Sequence, residues 1–372
     1  MLTWIEINAE NIRHNYRLFA AMIGHHRLVP VVKSNAYGHG LAETYQAIKS
    51  ENPPWLAVNY VEEGRLLRDL GFQGRIMVVG PFAPKEMADA ATAKIEMFLG
   101  HMEGLDAWLA SPQKPQLHLE FDTGMSRQGF RPEVADMVAD KLAPHKNAVK
   151  GVCMHFANVE DVTEHEYAKL QLERFEAAKK AFVSRDFSLL FHAASSASTL
   201  ILDESRFDLG RVGISLYGFW PSQATKISYK QLHGQVLDLQ PALAWKSTIT
   251  SINAVSQGQY IGYGCTFRAR HDMSVAVIPV GYFEGYPRQA SGSPAYVLIH
   301  GERCPIVGRI CMNMMMVDIT DIKVKTTVGD AVTLIGVDGK ETITATDVAA
   351  WAETIHYELV TRLNAAIPRR LM

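Results

Sequence analysis

The chain has 372 residues, more than one compact core usually holds, which implies two domains or a barrel with an appendage. Hydrophobic residues make up 48% and charged residues 20%, and the formal net charge is −2 with no basic run, which argues for a soluble globular protein and against nucleic-acid or anionic-membrane binding. No apolar stretch approaches the ~18–20 residues that span a bilayer, the N-terminal MLTWIEINAENIRHNYRLF lacks a secretory-signal pattern, and four scattered cysteines without C-x-x-C spacing suit a reducing cytoplasm and argue against a metal site.

In chain order, the first two-thirds alternates short apolar runs with amphipathic stretches. Strands are expected at 28–33, 55–60, 75–79, 95–99, 116–121, 149–155, 188–192 and 211–216. Helices are expected at 61–70, 131–143 and 163–184. Strands separated by helices imply βαβ units and a parallel sheet. Eight such units favour an α/β fold with an N-terminal (β/α)8 TIM-like barrel over an open sheet. After about residue 233 the pattern changes. Strands at 246–255, 273–280, 295–300, 315–320 and 331–336 alternate with Gly, Pro and Asp turns, and helical signal is confined to 345–355. That describes a mainly antiparallel C-terminal β domain. The division expected is 1–233 for the barrel and 234–372 for the β domain, with the first few residues free to join the latter.

The chemistry-bearing side chains collect at the ends of the barrel strands. The first strand ends in Lys33, and a barrel places its active site at that end. A lysine amine there can form a Schiff base with a carbonyl; by position alone it is more often a side chain leaving for solvent. The later strands lead into Glu120 and Arg127, into His155, into His192 and Ser196, and into Arg211 and Gly213. Each has a structural reading of its own: a surface ion pair for Arg127, a satisfied polar residue for His155, a packing glycine for Gly213. Their convergence on one lysine is the less ordinary observation. Small residues after the last two strands suit a phosphate held by backbone N–H groups.

VVKSNAYGHG around Lys33 resembles the cofactor-lysine motif of the bacterial alanine racemases. The resemblance runs along nearly the whole chain, through DTGMSRQGF, MHFAN, HAASSA, GRVGISLYG, GYGCTF, GYFEGYPR, GRICMN and HYELVTRL, in the family's order. It implies a barrel with a C-terminal β domain, pyridoxal 5′-phosphate (PLP) as cofactor, and a cytoplasmic homodimer that makes D-alanine for peptidoglycan. By resemblance, Lys33 and Tyr263 are the two catalytic bases, with Tyr263 supplied by the partner subunit. By itself Tyr263 is no different from Tyr60 or Tyr296. The resemblance assigns the cofactor phosphate to Tyr37, Ser196, the Gly213 and Ile214 amides and Tyr357. It sets Arg211 against the ring nitrogen, with His155 beside it. Arg127 and, from the partner, Met312 lie near the substrate carboxylate. Tyr282 and Tyr286 resemble residues of an entry channel.

Two positions depart from the family. Glu120 stands where many members have a lysine that becomes carbamylated, so its carboxylate is expected to replace the carbamate and pair with Arg127. Asn313 follows GRICM where Asp is usual, which removes a charge near the substrate and adds an amide donor. That change keeps a serine or broad-specificity racemase open as an alternative. A non-catalytic PLP-binding protein is disfavoured by the C-terminal domain that carries Tyr263.

Overall fold

All eight apolar runs of the first two-thirds become short parallel strands: Leu28–Pro30, Trp55–Val58, Arg75–Val78, Ile95–Leu99, Leu117–Glu120, Val149–Cys153, Leu190–His192 and Gly210–Val212. The computed structural model describes residues 2–161 and 163–372. The six strands from Trp55–Val58 to Leu190–His192 pair in chain order, and the first strand pairs with the last, Leu28 opposite Gly210 and Pro30 opposite Val212. A bridge between Val31 and Ala57 joins the two groups on one side. On the other, Arg211 N–H donates to Ala194 O at 3.0 Å. The ring therefore closes into an eightfold barrel. Helices such as Val61–Asp69, Ala135–Leu142 and Glu166–Val183 cover its outside. With both faces covered, the strands need apolar residues at successive positions, and all four residues of Trp55–Val58 are buried.

This barrel belongs to a unit made of Glu10–Ser34 and Tyr45–Pro241. A second unit comprises Ala242–Met372, Asn35–Thr44 and the N-terminal segment through Ala9. Its framework is a ten-stranded sheet. Thr3–Ile7 inserts there, antiparallel to Leu243–Thr248 and parallel to Arg369–Leu371. The single strand expected at 246–255 is two strands, Leu243–Thr248 and Ser251–Val255, which pair with different neighbours. The expected helix at 345–355 is Ala345–Trp351, and a second helix, His356–Thr361, follows it. Tyr286 is fully buried with its ring 5.9 Å from that of Trp245. It packs the core of this unit, not the wall of a channel. Among the described residues no helix is long and apolar enough to cross a membrane.

The inside of the barrel is not wholly aliphatic. Glu96, His118, His192 and Arg211 are all buried there. Gly151 lies opposite His118 across the pair of strands. A Cβ on it would sit 2.3 Å from His118 Nδ1, so glycine is needed for the imidazole to fit.

Candidate active site

The first barrel strand delivers Lys33 into an unusual turn. Ser34, Asn35, Ala36 and Tyr37 all have φ between 52° and 57°, one turn of left-handed helix made without glycine. Left-handed backbone costs an L-residue about 1–2 kcal/mol. Strain of this kind persists where surrounding bonds over-determine the backbone, as at functional sites. Here the Gly40 N–H donates to Asn35 O at 2.9 Å and the Leu41 N–H to Asn35 Oδ1 at 2.8 Å. Arg369 then holds Gly38 O with both Nε and Nη2 at 3.0 Å.

The Lys33 amine has no carboxylate within ion-pair distance among the described residues. Burial first, then the positive charges of Arg127 and Arg211, push its pKa below the usual lysine value. A desolvated amine near cationic groups has more of the neutral, nucleophilic form. That is the chemistry an aldehyde cofactor needs, and the same two guanidinium groups suit an anionic one, so these residues fit PLP.

Arg127 is exposed on a loop organised by Asp122, whose Oδ1 accepts the N–H groups of Gly124, Met125 and Ser126 at 2.9–3.0 Å. The expected pairing of Glu120 with Arg127 is not what the structure has. The Glu120 carboxyl accepts from Gln128 Nε2, and no Glu120–Arg127 bridge exists within 4.0 Å among the described residues. Burial pushes the Glu120 carboxyl up, opposed by the Gln128 hydrogen bond and by Arg211 and Arg127. A carboxyl set inside the barrel next to Cys153 pays its desolvation before it meets a loop arginine.

Arg211 is the most fully engaged side chain of the site. Its Nη1 donates to His192 Nδ1 at 2.6 Å and to His192 O at 3.2 Å. Its Nη2 reaches Met154 O at 2.9 Å, Ala193 O at 3.3 Å and His155 Nδ1 at 3.4 Å. Nε carries no such bond among the described residues, so its N–H is the donor left for a ligand. His155 is held neutral: burial, then Arg211, Arg127 and Lys33, push it well below the ordinary histidine value.

Ser196 opens the helix Ser196–Ile201, and its Oγ accepts the Gly213 N–H at 2.9 Å. That leaves the Ser196 O–H free to donate. Ile214 follows directly and is buried. In the second unit, the rings of Tyr37 and Tyr357 lie 6.4 Å apart, and Tyr357 stands on the helix His356–Thr361. Tyr263 is 72% exposed, on a short turn with Gly264 and Cys265 at positive φ. Met312 is 55% exposed and Tyr282 is also exposed. Asn313 donates to Glu284 Oε1 at 2.9 Å.

Glu96 and His118 escaped the sequence reading. A signal was present: Glu96 interrupts the apolar run IEMFL, and His118 alternates with leucines in LHLE. A polar residue in the middle of a buried parallel strand calls for a partner.

Residues 7–221 match the family model described as "Alanine racemase, N-terminal domain", and residues 242–371 the one described as "Alanine racemase, C-terminal domain". An alanine racemase of Leptospira interrogans is 37% identical over 99% of this chain and 95% of its own length. One of Symbiobacterium thermophilum is 36% identical over 99% and 96%. Among solved structures, alanine racemase of Bacillus anthracis with bound L-Ala-P superposes with a TM-score of 0.89 at 29% identity, covering 100% of this chain and 95% of that one. The enzyme of the D-cycloserine producer Streptomyces lavendulae gives 0.88 at 31%, covering 100% and 97%.

Proposed function

The chain belongs to the alanine racemase family, and from that premise we propose that it exchanges the α-proton of alanine between two bases, Lys33 on one face and Tyr263 on the other. It is a PLP-dependent enzyme that racemises alanine. PLP, when bound, withdraws electron density from the substrate and lowers the cost of removing that proton.

The observation that carries the reading is the half-buried Lys33 amine, whose pKa is lowered by desolvation and by the charges of Arg127 and Arg211. Lys33 would hold the cofactor's carbonyl carbon and, released from it, take or return the α-proton at Nζ. Tyr263 would do the same from the opposite face through its phenolic oxygen. A positioned acid or base typically contributes ~10²–10⁴-fold. Ser196, the amides of Gly213 and Ile214, Tyr37 and Tyr357 would bind the cofactor phosphate. Arg211 would donate to the ring nitrogen, and because an arginine does not accept a hydrogen bond, that nitrogen would stay an acceptor. Arg127 would orient the substrate carboxylate, with Glu120 supporting its loop through Gln128.

Tyr263 and Met312 are large, apolar or aromatic, and exposed. Their exposure supports a homodimer in which each chain lends both residues to the other's site. Four unpaired cysteines accord with a cytoplasmic location. The D-alanine produced would serve peptidoglycan synthesis. The test is racemisation in both directions, together with the visible absorbance of the PLP-loaded enzyme. Borohydride should abolish that absorbance in the wild type, and Lys33→Ala should lack it from the start. A Lys33→Ala enzyme that keeps both absorbance and activity would overturn the reading.

A further inference from the structure

An unbroken chain of side-chain hydrogen bonds crosses the barrel interior below Arg211. Arg211 Nη1 meets His192 Nδ1 at 2.6 Å, His192 Nε2 meets His118 Nδ1 at 2.8 Å, and His118 Nε2 meets Glu96 Oε2 at 2.7 Å. Arg75 closes the chain, with Nε and Nη2 on the two Glu96 oxygens at 2.6 and 2.8 Å. Glu96, His118, His192 and Arg211 are buried, while Arg75 is partly exposed and its guanidinium lies 3.8 Å over the Trp55 ring.

Only one arrangement of protons satisfies every contact. Arginine has no acceptor, so His192 Nδ1 must present a lone pair. The proton of His192 is then on Nε2, and His118 Nδ1 must accept it. The proton of His118 is therefore on Nε2 and is donated to Glu96, which as a carboxylate accepts from both sides. Protonating His118 as well would leave His192 with two lone pairs and a negative charge. The chain thus has a direction, imposed by its two ends, and both imidazoles are neutral. The electrostatics agree. Burial pushes both histidines below their ordinary value. Burial would raise Glu96, but the hydrogen bonds from His118 and Arg75 leave it below the ordinary carboxylate value.

The packing leaves the relay one place to sit. Phe98 stacks on the His118 ring with centroids 5.7 Å apart and planes at 27°, Trp55 meets it edge-on at 6.2 Å, and its Nδ1 edge fills the space that a side chain on Gly151 would take. A barrel interior is ordinarily filled with branched aliphatics. Four polar side chains in their place are costly unless every one is paired.

We propose that Glu96 and His118 are positioning residues for this enzyme: acting through His192, they lock the Arg211 guanidinium in one orientation, offset its charge and leave Nε–H as its donor toward the cofactor ring. The final link rests on the assignment of Arg211 to the ring nitrogen made above. The chain itself does not.

Two measurements test it. In the cofactor-free protein with 15N-labelled histidine, long-range 1H–15N spectra should show His118 and His192 as neutral rings protonated on Nε2 throughout about pH 5 to 9. Protonation of either ring on Nδ1, or of both nitrogens, overturns the proposal. In the PLP-loaded enzyme, Glu96→Met removes the final acceptor, whereas Glu96→Gln keeps an oxygen for His118. Glu96→Met leaves the His118 Nε2–H without an acceptor, so His118 should turn its proton to Nδ1 at the expense of the Arg211–His192 bond; this brings in the second tautomer and should raise by about tenfold the pyruvate formed per racemisation, each pyruvate leaving its amino group on the cofactor. Glu96→Gln should keep both tautomers and stay within about threefold of wild type. Glu96→Met with wild-type tautomers, or with an unchanged pyruvate ratio, overturns the positioning role. Failure of the parent reading shows separately, as a Lys33→Ala enzyme that still racemises alanine.

Discussion

The side-chain amide of Asn313 donates to Glu284 Oε1 at 2.9 Å, and the other oxygen of Glu284 accepts the Gly281 N–H at 2.9 Å. The amide donor that Asn313 brings is thus already used within its own unit. Asn313→Asp would set a second carboxylate against Glu284. The variant should lose at most about 0.5 kcal/mol of stability, a like-charge effect screened at an exposed site. The ratio of kcat/KM for serine to that for alanine should stay within about twofold, because the amide is directed at Glu284. A large shift toward serine in the wild type relative to Asn313→Asp would show that the amide reaches the substrate.

Tyr263→Phe removes one base and leaves the other. Racemisation should fall equally in both directions, because the two enantiomers are equal in energy, whereas α-proton exchange should survive from the enantiomer that Lys33 deprotonates and fall by about tenfold or more from the other. The check is initial rates from L- and D-alanine in solvent deuterium, where the remaining base still exchanges one face. Equal loss of both exchange reactions would contradict separate bases.

Glu120 bonds to Gln128, not to Arg127. Glu120→Leu would take one of two acceptors from the half-buried Gln128 amide, leaving it only Val79 O at 3.2 Å, and should cost about 1 kcal/mol in stability. It should also raise KM for alanine, since the loop bearing Arg127 loses an anchor. Glu120→Gln preserves an acceptor and should keep KM within about threefold. Denaturation and steady-state kinetics of the pair separate the hydrogen bond from the charge.

His39 is fully buried, and burial lowers its pKa to about 4 in the folded chain. The unfolded chain takes up the proton more readily, so stability is complete above the unfolded pKa of 6.5 and is lost as pH falls toward 4. The shift corresponds to about 3 kcal/mol at most. Chemical denaturation between pH 4 and 7 should show this slope, and His39→Gln should flatten it while lowering the plateau.

Gly38 has φ +82°, and a Cβ there would lie 1.9 Å from Val360 O. Gly38→Ala forces backbone to move and should destabilise the protein by more than about 2 kcal/mol. An equally severe substitution at Gly71, which has open space around it, should cost only the strain of its positive φ, about 1 kcal/mol. Thermal unfolding of the two variants gives the comparison.

The eight barrel strands were legible because each is a short apolar run bounded by polar helical stretches, and burial on both faces requires that pattern. Two interior strands of the second unit's sheet were not. Glu302–Val307 mixes charged and apolar residues, and Thr3–Ile7 finds its partners more than two hundred residues away in Leu243–Thr248. Lys33, Tyr263 and the motif residues were singled out by the local order that carries the family resemblance; position alone did not separate them from other lysines and tyrosines. Glu96 and His118 were missed: each stands out as a polar residue in an apolar strand, but only the fold brings them together as partners.

What the sequence determined by itself is the set of chemical groups and the periodicity that winds the barrel, because side-chain type and local hydrophobic pattern are properties of neighbouring residues. The tertiary structure decided that Glu120 meets Gln128, that Asn313 meets Glu284, and that two histidines and a glutamate line up behind Arg211. Those choices depend on desolvation and on directional hydrogen bonds. Both are set by what packs around a group once distant strands are brought side by side.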